Sequence, residues 1–325
     1  MPGISGSAVT QTGSKIRPGD LVDVRSAKEI LQTLDADGTL DRLPFMPEMI
    51  PHCGKRYRVE FRALKTCTSG SPTGSTMRSF KKDNVVTLQG LRCPGTDHDG
   101  CQKLCRIFWR EAWLRKVEGG SPPGREDGAG VERLAARLKT KSGPQTYFCQ
   151  AGEILNVTNP LSRWERFSKC VDDVRVGNAS LPEMIRRVAI GLFWKVRRVL
   201  FGSYGRGTCT MTPAESLNLR AGERIVVKSM QDITQTLDAK SHNRGLLFTP
   251  DMRLQCGHEQ KVERHLDKII VDGTGEMRKM KDTVYLEDSY CSCPHAAIGG
   301  CPRGEFVYWR EIWLRREEPA KPTAQ

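Results

Sequence analysis

The chain writes one stretch of about 100 residues twice, so its fold has to accommodate two similar units. QTLDA at 32–36 returns at 235–239. At the same offset Gly19, Val24, Ser26, Phe45, Pro47, Met49 and Cys53 meet Gly222, Val227, Ser229, Phe248, Pro250, Met252 and Cys256. WREAWL at 109–114 and WREIWL at 309–314 close the copies. The boundaries that follow are 16–117 and 219–316, with a linker and helical middle segment over 118–218 and disordered tails at 1–15 and 317–325.

Within each copy the pattern is that of short strands around one brief helix. GDLVDVRS at 19–26 and GERIVVKS at 222–229 alternate as strands do, and each ends on a serine with an acid three residues later, a capping-box signature. A long hairpin follows, formed by CGKRYRVEFRALKTC (53–67) with VVTLQGL in the first copy and turning at VDGTGE (271–276) in the second. An opening strand, a central hairpin and a closing strand predict a mainly β chain of two duplicated SH3-like β-barrels joined by a partly helical segment, with an OB-like barrel as the alternative. Trp109, Trp113, Trp309 and Trp313 on the closing strands are expected to be core staples.

Twelve cysteines in a reducing compartment point to metal binding, catalysis or packing rather than to disulfides. The duplication sorts them. Cys53 corresponds to Cys256, Cys101 to Cys301, and Cys93 to Cys291 or Cys293 according to the frame chosen. Folding the hairpin about its turn brings Cys53 opposite Cys93 and leaves Cys67 far along the strand, outside the cluster. Two structural zinc sites are therefore expected. Cys53, Cys93 and Cys101 form the first, with Cys105 or His98 as fourth ligand. Cys256, Cys291 and Cys301 form the second, completed by Cys293 or His295, because Glu305 stands where Cys105 was. An iron–sulfur cluster is the competing cofactor, and reduced buried thiols the plain alternative. Cys149 in FCQAGE lies outside both copies and reads as packing.

The run GDLVDVRS…LPFMPEMIPHCGKRYRV…LRCPGTDHDGCQKLCRIFWREAWL, with YFCQAGEIL and TPAESLNLRAGERIVVKS, resembles an uncharacterised bacterial family of duplicated Cys-rich SH3-like modules. Such proteins are seen among natural-product and polysaccharide biosynthetic gene neighbourhoods. The resemblance covers nearly the whole chain, departs at SRWERFSKC (162–170) and HEQKVERHL (258–266), and implies a cytoplasmic accessory protein with no established reaction.

Residues 180–201 open with Ser-Leu-Pro-Glu and stop before Gly202, which predicts a helix. Met184, Ile185, Val188, Leu192, Val196 and Val199 share one face, and Arg186, Arg187, Arg197 and Arg198 lie away from it. Docking of the apolar face on the two barrels is expected, with peripheral contact to an anionic membrane through Leu181–Phe201 as the alternative. A net charge of +13 suits a protein partner or an anionic ligand, nucleic acid included. The N-terminal residues lack the apolar core of a secretory signal, and VAIGLFW at 188–194 is too short to span a membrane, so the expected location is the cytoplasm. No nucleophile triad or nucleotide loop is present. The reading that results is a non-catalytic, zinc-stapled binding or scaffold protein, with a zinc-dependent enzyme using Glu305 as base, or a binder of nucleic acid or anionic membrane, as alternatives.

Overall fold

In a computed structural model of the chain, which describes residues 15–68, 76–117, 128–202, 205–291 and 303–317, Gly19 and Gly222 each lead into a strand at φ +87°. Only glycine adopts that conformation at little cost. After Gly19 comes β1 (Leu21–Val24), whose Val22 and Val24 are fully buried. Ser26 then caps α1 (Ala27–Leu31) in a reciprocal capping box with Glu29. Strands β2 (Arg56–Arg62), β3 (Val85–Arg92), β4 (Arg106–Arg110) and β5 (Leu114–Lys116) complete an antiparallel sheet of order β4-β3-β2-β1-β5.

The edge strands of this sheet are consecutive in the chain, joined by one 3-10 turn at Glu111–Trp113. Four Cα steps cross at most about 14 Å, whereas the edges of a flat five-stranded sheet lie about 19 Å apart. The sheet is therefore curled. Its concave face holds Trp109 and Trp113, both wholly buried, with Phe45 edge-on to each at 6.1 and 5.2 Å.

Part of the middle segment completes this first core. Helix α2 (Gly128–Arg137) lies on α1 with Gly130 against Lys28 and Leu134 fully buried. Thr158–Pro160 pairs with Thr76–Phe80, and Tyr147, Cys149, Ala151, Ile154 and Val157 join the same cluster. Two longer helices follow, α3 (Arg163–Val176) and α4 (Leu181–Phe201). The sequence predicts the second of these with nearly the same limits, but not where its apolar side goes.

The docking expectation fails for α4. Met184 is buried, yet Leu181, Ile185, Leu192, Phe193, Val196 and Val199 are exposed. The hairpin is instead tied to the first half at its root, where Lys65 pairs with the buried Asp173 at 2.7 Å and Asn178 exchanges hydrogen bonds with the Arg62 backbone at 2.8 Å.

The second half is built like the first: β6 (Arg224–Val227), α5 (Met230–Thr234) capped by Ser229, then β7 (Glu259–His265), β8 (Thr283–Leu286), β9 (Trp309–Arg310) and β10 (Leu314–Arg316), in the order β9-β8-β7-β6-β10. Details recur. Phe248 lies edge-on to Trp309 and Trp313, and both Trp113 and Trp313 donate from the indole to Thr33 and Thr236 at 3.0 Å. Pairing slips between Val59 and Phe61 and again between Val262 and Arg264. No described helix is long and apolar enough to cross a membrane.

Candidate metal centre

The connection from β3 to β4, residues 93–105, carries three cysteines and is held closed at its ends. Cys93 N–H donates to the Cys105 carbonyl at 2.8 Å. Inside it the chain curls so tightly that a Cβ on Gly95 (φ +69°) would lie 2.0 Å from the Cys101 carbonyl oxygen, so no other residue fits. The curl turns Cys93, Cys101 and Cys105 toward one small cavity of about 30 Å³.

A fourth thiol reaches that cavity from the middle segment. Cys149 is positioned by its neighbour Gln150, which is buried and hydrogen-bonds across to β4: its amide nitrogen donates to the Phe108 and Pro44 carbonyls at 2.8 and 3.0 Å, and its oxygen accepts from Phe108 N–H at 2.8 Å. The second half closes the cavity with Ile270, whose N–H donates to the Cys101 sulfur at 3.3 Å. With Met46 also in the lining, four separate pieces of chain meet here.

The sulfurs are surrounded by backbone donors. Cys149 accepts from Gly152 N–H at 3.4 Å and from Ala151, Cys93 from Gly95, and Cys101 from Lys103 as well as Ile270. Such bonds favour the thiolate, since a neutral thiol is a weak acceptor. Without a cation, burial opposes that charge. It pushes Cys149 and Cys105 up to about 12 and Cys93 higher, and the neighbouring sulfurs and Glu48 add to the rise at Cys93. Lys103 pulls Cys105 part of the way back. A divalent metal reverses this balance, because coordination deprotonates a thiol outright. Among the described residues no three His, Cys, Asp or Glu side chains stand together at the spacing of ligands around an ion; the four thiols border a cavity without closing on a point.

His98 lines the same cavity but has other work. Its Nδ1 meets the Glu48 carboxylate at 2.6 Å and its Nε2 meets the Phe148 carbonyl at 3.1 Å, so neither nitrogen is available as a ligand. Both face acceptors, which makes the ring an imidazolium buried against a carboxylate. Burial opposes its charge, but the Glu48 bond outweighs burial and raises the His98 pKa while the same contact lowers Glu48. Of the two candidates for the ligand that joins Cys93 and Cys101 from this loop, Cys105 is therefore the one at the cavity.

Cys53 is not at the cavity. Strand β2 starts only at Arg56, and the preceding turn is bonded to β1 through Gly54 N–H and the Val24 carbonyl at 3.0 Å. That turn leaves Cys53 buried in the core but outside the cavity lining that holds Cys93, Cys101, Cys105 and Cys149. Cys256 occupies the same position in the second half, after the 3-10 turn Met252–Gln255, and is half-buried. Cys291 packs on a cluster of Cys67, Met77 and Leu161, so Cys67 is set beside a candidate ligand after all. Cys293, His295 and Cys301 lie outside the described residues.

Cys291 N–H donates to the Glu305 carbonyl at 2.7 Å, as Cys93 does to Cys105, which fixes Cys291 as the counterpart of Cys93. Glu305 does not have the surroundings of a catalytic base. It is buried, 2.8 Å from the Arg303 guanidinium and 3.3 Å from Lys103 Nζ. Arg303 and Lys103 both pair with the fully buried Asp272. Burial alone would raise the Asp272 carboxyl, but the two cations hold it below the usual carboxylate range. The ion network lies directly beside the cysteine cavity, whose lining includes Lys103.

Cys149 is the residue the sequence reading passed over. It lies outside both copies, so the comparison that selected the other thiols discarded it. The available signal was local: glycine follows two residues after Cys93 and three after Cys149, each placing an N–H on the sulfur. Comparison with known protein families, with curated proteins and with solved structures gives no match.

Proposed function

We propose that this chain is a non-catalytic binding or scaffold protein, an internal duplication of one SH3-like module in which a structural zinc on Cys93, Cys101, Cys105 and Cys149 ties the first module to the middle segment. One observation carries the reading: four thiols from the β3–β4 connection and the middle segment line one cavity, under a backbone N–H from the opposite half. Zinc takes four sulfurs tetrahedrally at about 2.3 Å, and a closed thiolate shell has no open position for a substrate. Zinc there would bind loop and middle segment together beneath the second half, and its binding energy would act as folding energy. The SH3-like assignment rests on the shared strand order and on the 3-10 turn that joins the two edge strands in both halves. A bacterial, cytoplasmic accessory role in biosynthesis follows the family resemblance.

Elemental analysis of protein purified without added metal tests the assignment, with one zinc per chain expected from this cavity. A colourless protein fits zinc, and visible charge-transfer bands with bound iron would replace zinc by an iron–sulfur cluster. Cobalt exchanged into the site should give a thiolate-rich tetrahedral spectrum insensitive to azide. Metal-free protein of full stability would overturn the proposal.

A further inference from the structure

Helices α3 and α4 leave their large apolar side chains in solvent, a costly arrangement unless something covers them. On α4, Leu181, Ile185, Leu192, Val196 and Val199 form one stripe, and they are 48–77% exposed. The adjoining face is taken, since Met184 and Gly191 are buried where α3 packs. On α3, Trp164 and Phe167 are 75% and 58% exposed and stack on each other at 5.9 Å.

Charge says what would cover the stripe. Helix α4 carries five basic residues and one acidic, within a chain of net charge +13. Lys195 projects beside the stripe, Arg186 and Arg197 lie farther round the helix, and Arg197 lies over the Trp194 ring at 5.9 Å. Glu183, the one acid, is already held by Arg186 at 2.8 Å and Arg187 at 2.7 Å. A second copy would bring the same cations against these cations. An apolar stripe on a helix whose other faces are basic matches instead a bilayer surface, where acyl chains lie beneath anionic headgroups.

We propose that the α3–α4 hairpin is a peripheral membrane-docking device that lays the Leu192 stripe of α4 into the interface of an anionic lipid leaflet. This stands independently of the zinc reading. The hairpin is anchored to the body by the Lys65–Asp173 ion pair and the Asn178 bonds at its root, so docking would hold the curled sheets at the surface.

Co-sedimentation of the full chain with two kinds of vesicle tests this, neutral phosphatidylcholine alone and phosphatidylcholine with phosphatidylglycerol. Binding is expected to the second only, and raised salt should weaken it. The double variant Leu192→Asp, Val196→Asp should lower the bound fraction at least about tenfold, since two apolar anchors are lost. It should leave the thermal midpoint unchanged, because neither residue is buried. Absence of binding to anionic vesicles at low salt overturns the proposal. So does binding that the double variant leaves intact, or a parent dimer in sedimentation that the same variant dissociates, which would make a second copy the covering surface.

Discussion

Lys103 and Arg303 occupy matching positions in the two halves, and both end on the same buried carboxylate, Asp272. Two units built alike are thereby joined asymmetrically, since only the second supplies the anion. The joint extends to Arg303 Nη1 on the Cys67 carbonyl and to Arg92, which lies over Tyr290 and Phe306 and donates to the Gly304 carbonyl at 2.9 Å.

Removal of the shared carboxylate should be among the most damaging single changes in the chain. Asp272→Ala leaves two cations buried without it, a loss of roughly 3–5 kcal/mol for a broken buried pair. Urea unfolding measures it. Glu223→Ala, which breaks an ion pair with the half-exposed Arg316, should cost about 1 kcal/mol or less.

The cysteines should separate cleanly by metal content. Cys149→Ser and Cys101→Ser should lower bound zinc together with stability, whereas Cys53→Ser should keep zinc and lose only the packing of a small core side chain, about 1 kcal/mol. Mass spectrometry of the native protein reads both results. Zinc lost from the Cys53 variant but retained by the Cys149 variant would return the site to the arrangement the hairpin spacing predicts.

The Glu48–His98 pair should give stability a defined pH window. His98 is raised above its ordinary 6.5, so its contribution is complete below that value and fades as pH rises through the folded-state value. Glu48 is lowered from 4.5, so its contribution is complete above that value and is lost as pH falls through the folded-state one. Between about 4.5 and 6.5 both are present. Unfolding free energy at fixed metal content should therefore drop as pH rises above about 6.5, and His98→Gln should flatten that drop.

Glu311 should act as a clasp on the chain entering the second half. Its carboxylate accepts from Leu217, Asn218 and Leu219 N–H at 2.6–3.0 Å. Glu311→Gln halves its acceptor capacity and leaves at least one donor unmet, a cost of about 1–3 kcal/mol. Amide hydrogen exchange should quicken at 217–219 before it changes in β8.

The elements that rest on local chemistry were readable from the residues. Serine with an acid three positions on gave α1 and α5, Ser-Leu-Pro-Glu gave the start of α4, and alternating Val and Leu gave β1, β3 and β8. The matched closing motifs located the buried tryptophans. Three of the four cavity thiols came from spacing, because both ends of one connection and its middle are close by necessity. The fourth did not, since the approach of Cys149 depends on Gln150 standing in for a strand against Phe108, a long-range contact with no local periodicity. Cys53 was misplaced for a related reason: a hairpin register says which residues oppose each other only as far as the strands run, and β2 stops three residues short of it. The fate of the α4 stripe was undecidable from amphipathicity, which marks a face as apolar without saying what it meets.

The seal on the cysteine cavity has a consequence for how the protein is made. Cys101 and the Ile270 N–H above its sulfur are 169 residues apart. On the ribosome, roughly 120 residues separate the emergence of Cys149 from that of Ile270, and at about 5–20 residues per second this is roughly 6–25 s. Throughout that interval the four thiols are present and uncovered. Nascent chains are therefore the form most open to oxidation and to capture of the wrong metal, and slowed translation between the halves should do more harm than the same delay after residue 270.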